Sequence, residues 1–157
     1  AEPKPRGRVL IIAGSDSGGG AGIQADIKTV TALGGYAMTA VTAITVQNTL
    51  GVTNVHPVPP EIVREQIDAV MGDLGSDTWK IGMMGSADHV RAVMEAWYAV
   101  GDGAPVVLDP VMIAKGGASL LAEDAIAVIR DELMPVAAIV TPNAPEAEAL
   151  TGIEVRD

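Results

Sequence analysis

The sequence contains no cysteine. That excludes disulfides, thiolate metal sites and a cysteine nucleophile, and an oxidising compartment is not required. It contains no phenylalanine, and two Trp and two Tyr bring aromatics to only 3% of its 157 residues. A platform for stacking single-stranded nucleic acid therefore has almost nothing to be built from. Positive charge is scarce as well: 10 Lys and Arg against 20 Asp and Glu leave a formal net charge of −10. With no basic run anywhere, binding of nucleic acid through bulk charge is excluded. The two histidines, His56 and His89, are expected away from the functional rim described below, and no Ser-His-Asp or His-metal constellation can be assembled from them. Long apolar runs are missing too. Thr29 to Pro60 carries no charged residue but is broken by Gly34, Gly35, Gln47 and Asn48, so no stretch of about 20 apolar residues suits a membrane span. Ala1 to Arg8 is short, polar and Pro-rich. It reads as a flexible tail and not as a signal peptide, and no membrane partner is expected.

What is present fits one globular domain over residues 9–157, at 48% hydrophobic and 19% charged residues, long enough to bury a core without a covalent staple. Continuous apolar runs at Val9–Ala13 and Pro105–Leu108, and Val/Ile/Thr-rich segments at Ala37–Val46, Thr78–Ile81 and Ala137–Val140, read as strands. Val52–Val58 reads as a short extra strand or an extended connector. Helical spacing predicts helices over Ile23–Leu33, Glu61–Leu74, Asp88–Tyr98, Glu123–Leu133 and from Ala144. Their inward faces are expected to carry Ile23, Ile27, Val30 and Leu33 in the first, Ile62, Val63, Ile67, Val70, Met71 and Leu74 in the second, and Val90, Val93, Met94 and Trp97 in the third. About five β-α repeats at the spacing of a βαβ unit imply an α/β fold, a mostly parallel sheet with helices on both faces.

In such sheets ligands bind beyond the carboxyl ends of the strands. The most polar and Gly-rich pieces of the sequence fall at those ends: Gly14–Gly22, Gln47-Asn48-Thr49, Lys80–Met84, Asp109–Met112 and Thr141–Glu146. The Gly14–Gly22 loop lets a ligand approach the backbone at a helix start, or is simply a strand-to-helix turn. It is not a P-loop, because no Gly precedes Lys28-Thr29, and the match of Gly20–Ala25 to a dinucleotide fingerprint lacks the acidic residue a ribose needs. Asp16 either serves a ligand or satisfies turn amides. Asp26 either complements the helix dipole or accepts a ligand N–H or O–H. Gln47 has both donor and acceptor, which suits a heterocycle edge, or caps a strand end. Met83 and Met84 offer polarizable surface or plain packing. Lys80 is a strand charge or a ligand contact. Asp109, after an apolar strand and before Pro110, either holds Mg²⁺ or caps a turn. Asn143 and Glu146 either order a metal-phosphate end or form an N-cap with an acid in the first turn.

Taken together, Ala13–Thr29, Thr42–Thr49, Lys80–Met83, Leu108–Met112 and Thr141–Ala147 resemble the hydroxymethylpyrimidine/phosphomethylpyrimidine kinases of thiamine biosynthesis, members of the ribokinase-like superfamily. The resemblance runs from Val9 to Gly152. It implies ATP- and Mg²⁺-dependent phosphorylation of 4-amino-5-hydroxymethyl-2-methylpyrimidine and then of its monophosphate. It also implies a cytoplasmic location and a homodimer. By this resemblance Asp26 and Gln47 read the pyrimidine, and Gly14, Met83 and Val111 line its pocket. Asn143 and Glu146 serve nucleotide and phosphate, and Asp109 and Glu146 serve the metal. The family's later Gly-Thr-Gly-type motif, its anion hole and the source of its hydroxyl-activating residue, has no counterpart up to Asp157. The resemblance therefore implies the N-terminal part of such a kinase, with no catalytic residue in this chain and impaired turnover by it alone. A vitamin B6 kinase and a non-catalytic pyrimidine-binding module are the alternatives.

Overall fold

The computed structural model describes residues 6–113 and 119–155. The elements run β1 (Arg8–Asp16), α1 (Gly22–Ala32), β2 (Tyr36–Asn48), β3 (Gly51–Pro57), α2 (Pro60–Asp73), β4 (Thr78–Ile81), α3 (Ala87–Val100), β5 (Val106–Leu108), α4 (Glu123–Val128), β6 (Ile139–Val140) and α5 (Ala144–Thr151). The strands form one six-stranded sheet in the order β3-β2-β1-β4-β5-β6. All neighbours pair in parallel except β3, which runs antiparallel to the far end of β2. Val52–Val58 is thus largely a strand. The expected α/β architecture with helices on both faces is present.

The two faces are unequal. Leu10, Ile12, Trp79, Ile81, Val106 and Leu108 point to one face and pack with α2, α3 and α4 into a single core. From α2, Val63 and Ile67 are fully buried, a contribution of about 1.5–3 kcal/mol each. The other face carries α1, which touches β1 and β2. No residue of α1 is buried, and Leu33 is 67% exposed. The inward stripe expected of α1 therefore only half covers itself, because it leans on one side of two strands with no helix packed against it among the described residues. Ile62 and Leu74, also expected inside, are exposed. They flank the narrow line of α2 that meets the sheet.

Further expectations are corrected locally. The helix over Glu123–Leu133 is regular only to Val128, then widens to a π turn at Ile129–Leu133 and a 3-10 turn at Met134–Val136. Pro135 explains the break, since it lacks the N–H that would continue the ladder and its ring crowds the carbonyl one turn back. β1 begins at Arg8, inside the stretch read as a tail, and Arg6 N–H donates to Gly34 O at 2.9 Å. The rest of that stretch, residues 1–5, lies outside the described residues. Arg8 also pairs with Asp77 at 2.8 Å, joining the entry of β1 to the entry of β4.

Candidate functional site

β1, β2, β4, β5 and β6 run the same way, so their carboxyl ends share one rim. Gly82, Asp109 and Thr141 follow β4, β5 and β6 in register, their amides donating to Ile12 O, Ile81 O and Leu108 O at 2.8, 2.8 and 2.9 Å. The strand order reverses between β1 and β4, and the crevice there is where such sheets place ligands. Gly14 of β1 and Met83 after β4 meet across it. A Cβ at Gly14 would come within 2.8 Å of Met83 Sδ. Thr42 Oγ1 donates to Met83 O at 2.6 Å and fixes that backbone from β2. Gly22 serves the same approach: at φ +55° its Cβ position is taken by Gly14 O, so α1 starts hard against β1 only because the residue is glycine.

The Gly-rich loop is closed by its own carboxylate. Buried Asp16 accepts from Gly18 N and Gly20 N at 2.7 and 2.9 Å and from Ala21 N at 2.8 Å. Its own amide donates to Gln24 Oε1 at 2.8 Å. The turn-amide reading of Asp16 is therefore the one realised. These loop amides are spent internally, and the positive end of α1 already faces a carboxylate. Gln47 stands opposite. Ser17 Oγ donates to Gln47 O at 2.6 Å and lies 2.8 Å from Gln47 N, which donates to it, while Gln47 Oε1 accepts from Thr45 Oγ1 at 3.0 Å. Asp16, Gly18, Gly20, Gln47 and Thr49 line a cleft of about 210 Å³.

Sequence reasoning left Lys80 undecided, and the structure makes it a hub. Its Nζ lies 2.7 Å from Asp26 Oδ2 and 3.7 Å from Asp109 Oδ2. Two carboxylates separated by 83 residues in sequence thus share one ammonium. The local signal was the strand alternation that aims Lys80 away from Trp79 and Ile81. Val111 is half-buried and its amide turns back to Asp109 O at 2.8 Å.

At the far side of the rim, Asn143 and Glu146 form a reciprocal capping box. Asn143 Oδ1 accepts from Glu146 N at 2.9 Å, and Glu146 Oε2 accepts from Asn143 N at 3.0 Å. Glu146, expected as a metal ligand, is buried and turned into its own helix start. No group of three or more metal-ligating side chains converges among the described residues. The donor set does not suit a metal held by protein alone. It does suit magnesium, which keeps waters and needs only one or two carboxylates when phosphates supply the rest. Asp109, after β5, has a side chain 37% exposed.

His89 corrects an expectation. It is buried at the start of α3, with Nε2 2.7 Å from Val58 O and Nδ1 2.7 Å from Ser86 Oγ. With Thr42, Met83 and Met84 it lines a cavity of about 630 Å³ at the rim. His56 is exposed on β3.

Residues 16–157 match the family model for phosphomethylpyrimidine kinase. The chain belongs to the phosphomethylpyrimidine kinase family. It is 51% identical over 150 residues to the hydroxymethylpyrimidine/phosphomethylpyrimidine kinase of Haemophilus influenzae, covering 96% of this chain and 55% of that protein. It is 53% identical over 155 residues to the thiamine biosynthesis bifunctional protein ThiED of Geobacter sulfurreducens, covering 99% of this chain and 31% of that one. The chain thus spans about half the length of the curated kinase. Among solved structures, a phosphomethylpyrimidine kinase from Clostridium difficile superposes with a TM-score of 0.88 at 44% identity, over 96% of this chain and 66% of that one. A pyridoxal kinase from Staphylococcus aureus in complex with pyridoxal reaches 0.84 at 34% identity, over 96% and 54%.

Proposed function

We propose that this chain is the substrate-recognising part of an ATP-dependent hydroxymethylpyrimidine/phosphomethylpyrimidine kinase. The observation that carries the reading is the Gly14–Met83 approach at the strand-order reversal, in a chain of this family that carries Asp26 on the helix following β1 and Gln47 near the end of β2. The Gly14 backbone and the polarizable Met83 sulfur already lie in contact, so a flat heterocycle would rest over the two together and not between them. Asp26 would accept from the amino group of the ring, and Gln47 would pair with an edge offering both donor and acceptor. Half-buried Val111 would close the pocket on the β5 side.

Phosphoryl transfer needs positioning and charge stabilisation more than covalent chemistry. The pyrimidine's hydroxymethyl oxygen gives up its proton and bonds to the γ-phosphorus of ATP, the bond from that phosphorus to the β,γ-bridging oxygen breaks, and ADP leaves. Magnesium, when bound, would neutralise phosphate charge. Asp109 is the side chain that would hold it, and Asn143 with Glu146 would serve the nucleotide indirectly by fixing the start of α5. We assign no residue of this chain to activation of the hydroxyl. A cytoplasmic location is part of the same proposal. A homodimer is the expected assembly, supported by the apolar surface at Ile44, Val46 and Leu50 on the β2–β3 hairpin, each more than half exposed.

Calorimetric titration of the chain with 4-amino-5-hydroxymethyl-2-methylpyrimidine, with pyridoxine run in parallel, tests the reading. Saturable binding that prefers the pyrimidine is expected. Preference for pyridoxine would select a vitamin B6 kinase instead, and binding of neither by a folded sample would overturn the assignment.

A further inference from the structure

The ammonium of Lys80 lies on a largely apolar part of the sheet. It sits on β4 beside Ile11 and Val107, on the sheet face that α1 half covers. The small cavity around it, about 200 Å³, is lined by Val9, Ile11, Val30 and Val107. A cation over such an apolar floor is costly unless paired, and replacing the whole ion-paired cluster by apolar residues of similar volume is often neutral or stabilising. The chain nevertheless makes room for it. Gly82 follows on the same face of β4, and a Cβ at Gly82 would lie 3.2 Å from Lys80 Nζ and 3.1 Å from Ala13 Cβ. The side chain runs over that gap toward the carboxyl ends of the strands. There the ammonium is 2.7 Å from Asp26 and 3.7 Å from Asp109, with Lys80 and Asp26 only 22% and 23% exposed.

We propose that Lys80 is a positioning residue of the pyrimidine site, acting through Asp26. The inference rests on the pyrimidine-binding reading above. Lys80 engages Oδ2 of Asp26 and thereby holds the carboxylate in one rotamer. It also offsets the repulsion between Asp26 and Asp109, which would otherwise crowd two like charges around the same crevice. Asp26 is carried by a helix with no buried residue, so little else in the structure fixes its direction. The same ammonium links the substrate-reading carboxylate to the phosphate-end carboxylate, so the two halves of the site are held in one spacing.

The absence of any cysteine allows a direct test. Lys80→Met, Lys80→Cys, Asp26→Asn and the double variant Lys80→Met/Asp26→Asn are titrated calorimetrically with the hydroxymethylpyrimidine, and the melting temperature of each is recorded. Lys80→Met leaves Asp26 and Asp109 without their shared cation and is expected to melt lower than wild type; at a temperature where both are fully folded it should bind about tenfold or more weakly, the scale of a lost charge-assisted hydrogen bond. In the Asp26→Asn background the same change is expected to cost less than about twofold, because the carboxylate it acts on is gone. Aminoethylation of the single thiol in Lys80→Cys restores an ammonium at the length of lysine and should recover most of the affinity. Equal losses in both backgrounds would overturn the inference, as would unchanged affinity in Lys80→Met or a loss that only follows falling stability. Wild type that binds the pyrimidine while Lys80→Met binds equally well removes Lys80 alone. Wild type that fails to bind removes both this inference and the reading beneath it.

Discussion

Asp16 and Ala21 close the Gly-rich loop between β1 and α1. The Asp16 carboxylate accepts the Ala21 amide at 2.8 Å, at the residue that caps α1, and takes two further amides from the same loop. Replacing Asp16 by Ala leaves those donors without their acceptor and removes the negative charge from the positive end of the helix. The expected loss is about 1–3 kcal/mol of stability, read as a lower urea midpoint. Asp16→Asn should recover only part of it, because one oxygen becomes a donor facing donors. An unchanged midpoint in Asp16→Ala would mean that water replaces the carboxylate without loss.

Gly14→Ala and Gly22→Ala separate site from scaffold. The added methyl at Gly14 meets the end of the flexible Met83 side chain, which can move. Stability should fall modestly while pyrimidine affinity falls several-fold. At Gly22 the methyl meets the backbone oxygen of Gly14 at a positive φ, which side-chain motion cannot relieve. Its melting temperature should drop further than that of Gly14→Ala, by an overpacking loss of about 1–3 kcal/mol or more. Equal melting curves for the two variants would contradict this geometry.

The capping box of α5 predicts that Asn143→Ala loses stability without touching the pyrimidine end of the site. About 1 kcal/mol of stability should be lost, measured by denaturant titration, with pyrimidine affinity unchanged. Glu146→Gln keeps the acceptor and should fall between Asn143→Ala and wild type.

The Arg8–Asp77 pair gives the acid limb a signature. Hydrogen bonding from the Arg8 guanidinium, reinforced by its backbone amide, lowers the Asp77 carboxyl from its ordinary value to about 2. A depressed carboxyl stabilises the fold above its unfolded value, and that contribution is lost as pH falls toward the folded one. The stability difference between wild type and Asp77→Asn should therefore be constant above pH about 5 and shrink from about pH 4 to about pH 2. Both groups are about half exposed, so added salt should narrow the difference as well. A gap that widens on acidification would refute the assignment.

Much of this architecture was legible where one residue type decides locally. Thr78–Ile81 could be bounded by its alternation, and Val9–Ala13 could be recognised as buried because no polar residue interrupts it. The common rim followed from the β-α order alone, and the cap at Asn143 from its spacing to Glu146. What stayed hidden depended on distance in the chain. Lys80 is 54 residues from Asp26, and nothing local to either predicts the pair. The exposure of α1 was equally invisible, because its apolar spacing is that of a packed helix and only the tertiary context shows how little covers it. His89 was misplaced for the same reason: α3 begins at the rim, so its first turn is part of the crevice. Pro135 did carry a local warning, and the π turn before it is the accommodation.

The scant burial of α1 has a thermodynamic consequence for anything that touches Asp26. A helix held to the sheet by few apolar contacts opens locally at a free energy well below that of global unfolding. Amide protons of α1 should exchange with solvent ahead of those in α2 and α3, and the binding free energy of a ligand on Asp26 then includes the work of holding α1 closed. Such a ligand slows exchange along the whole helix, far beyond the atoms it contacts.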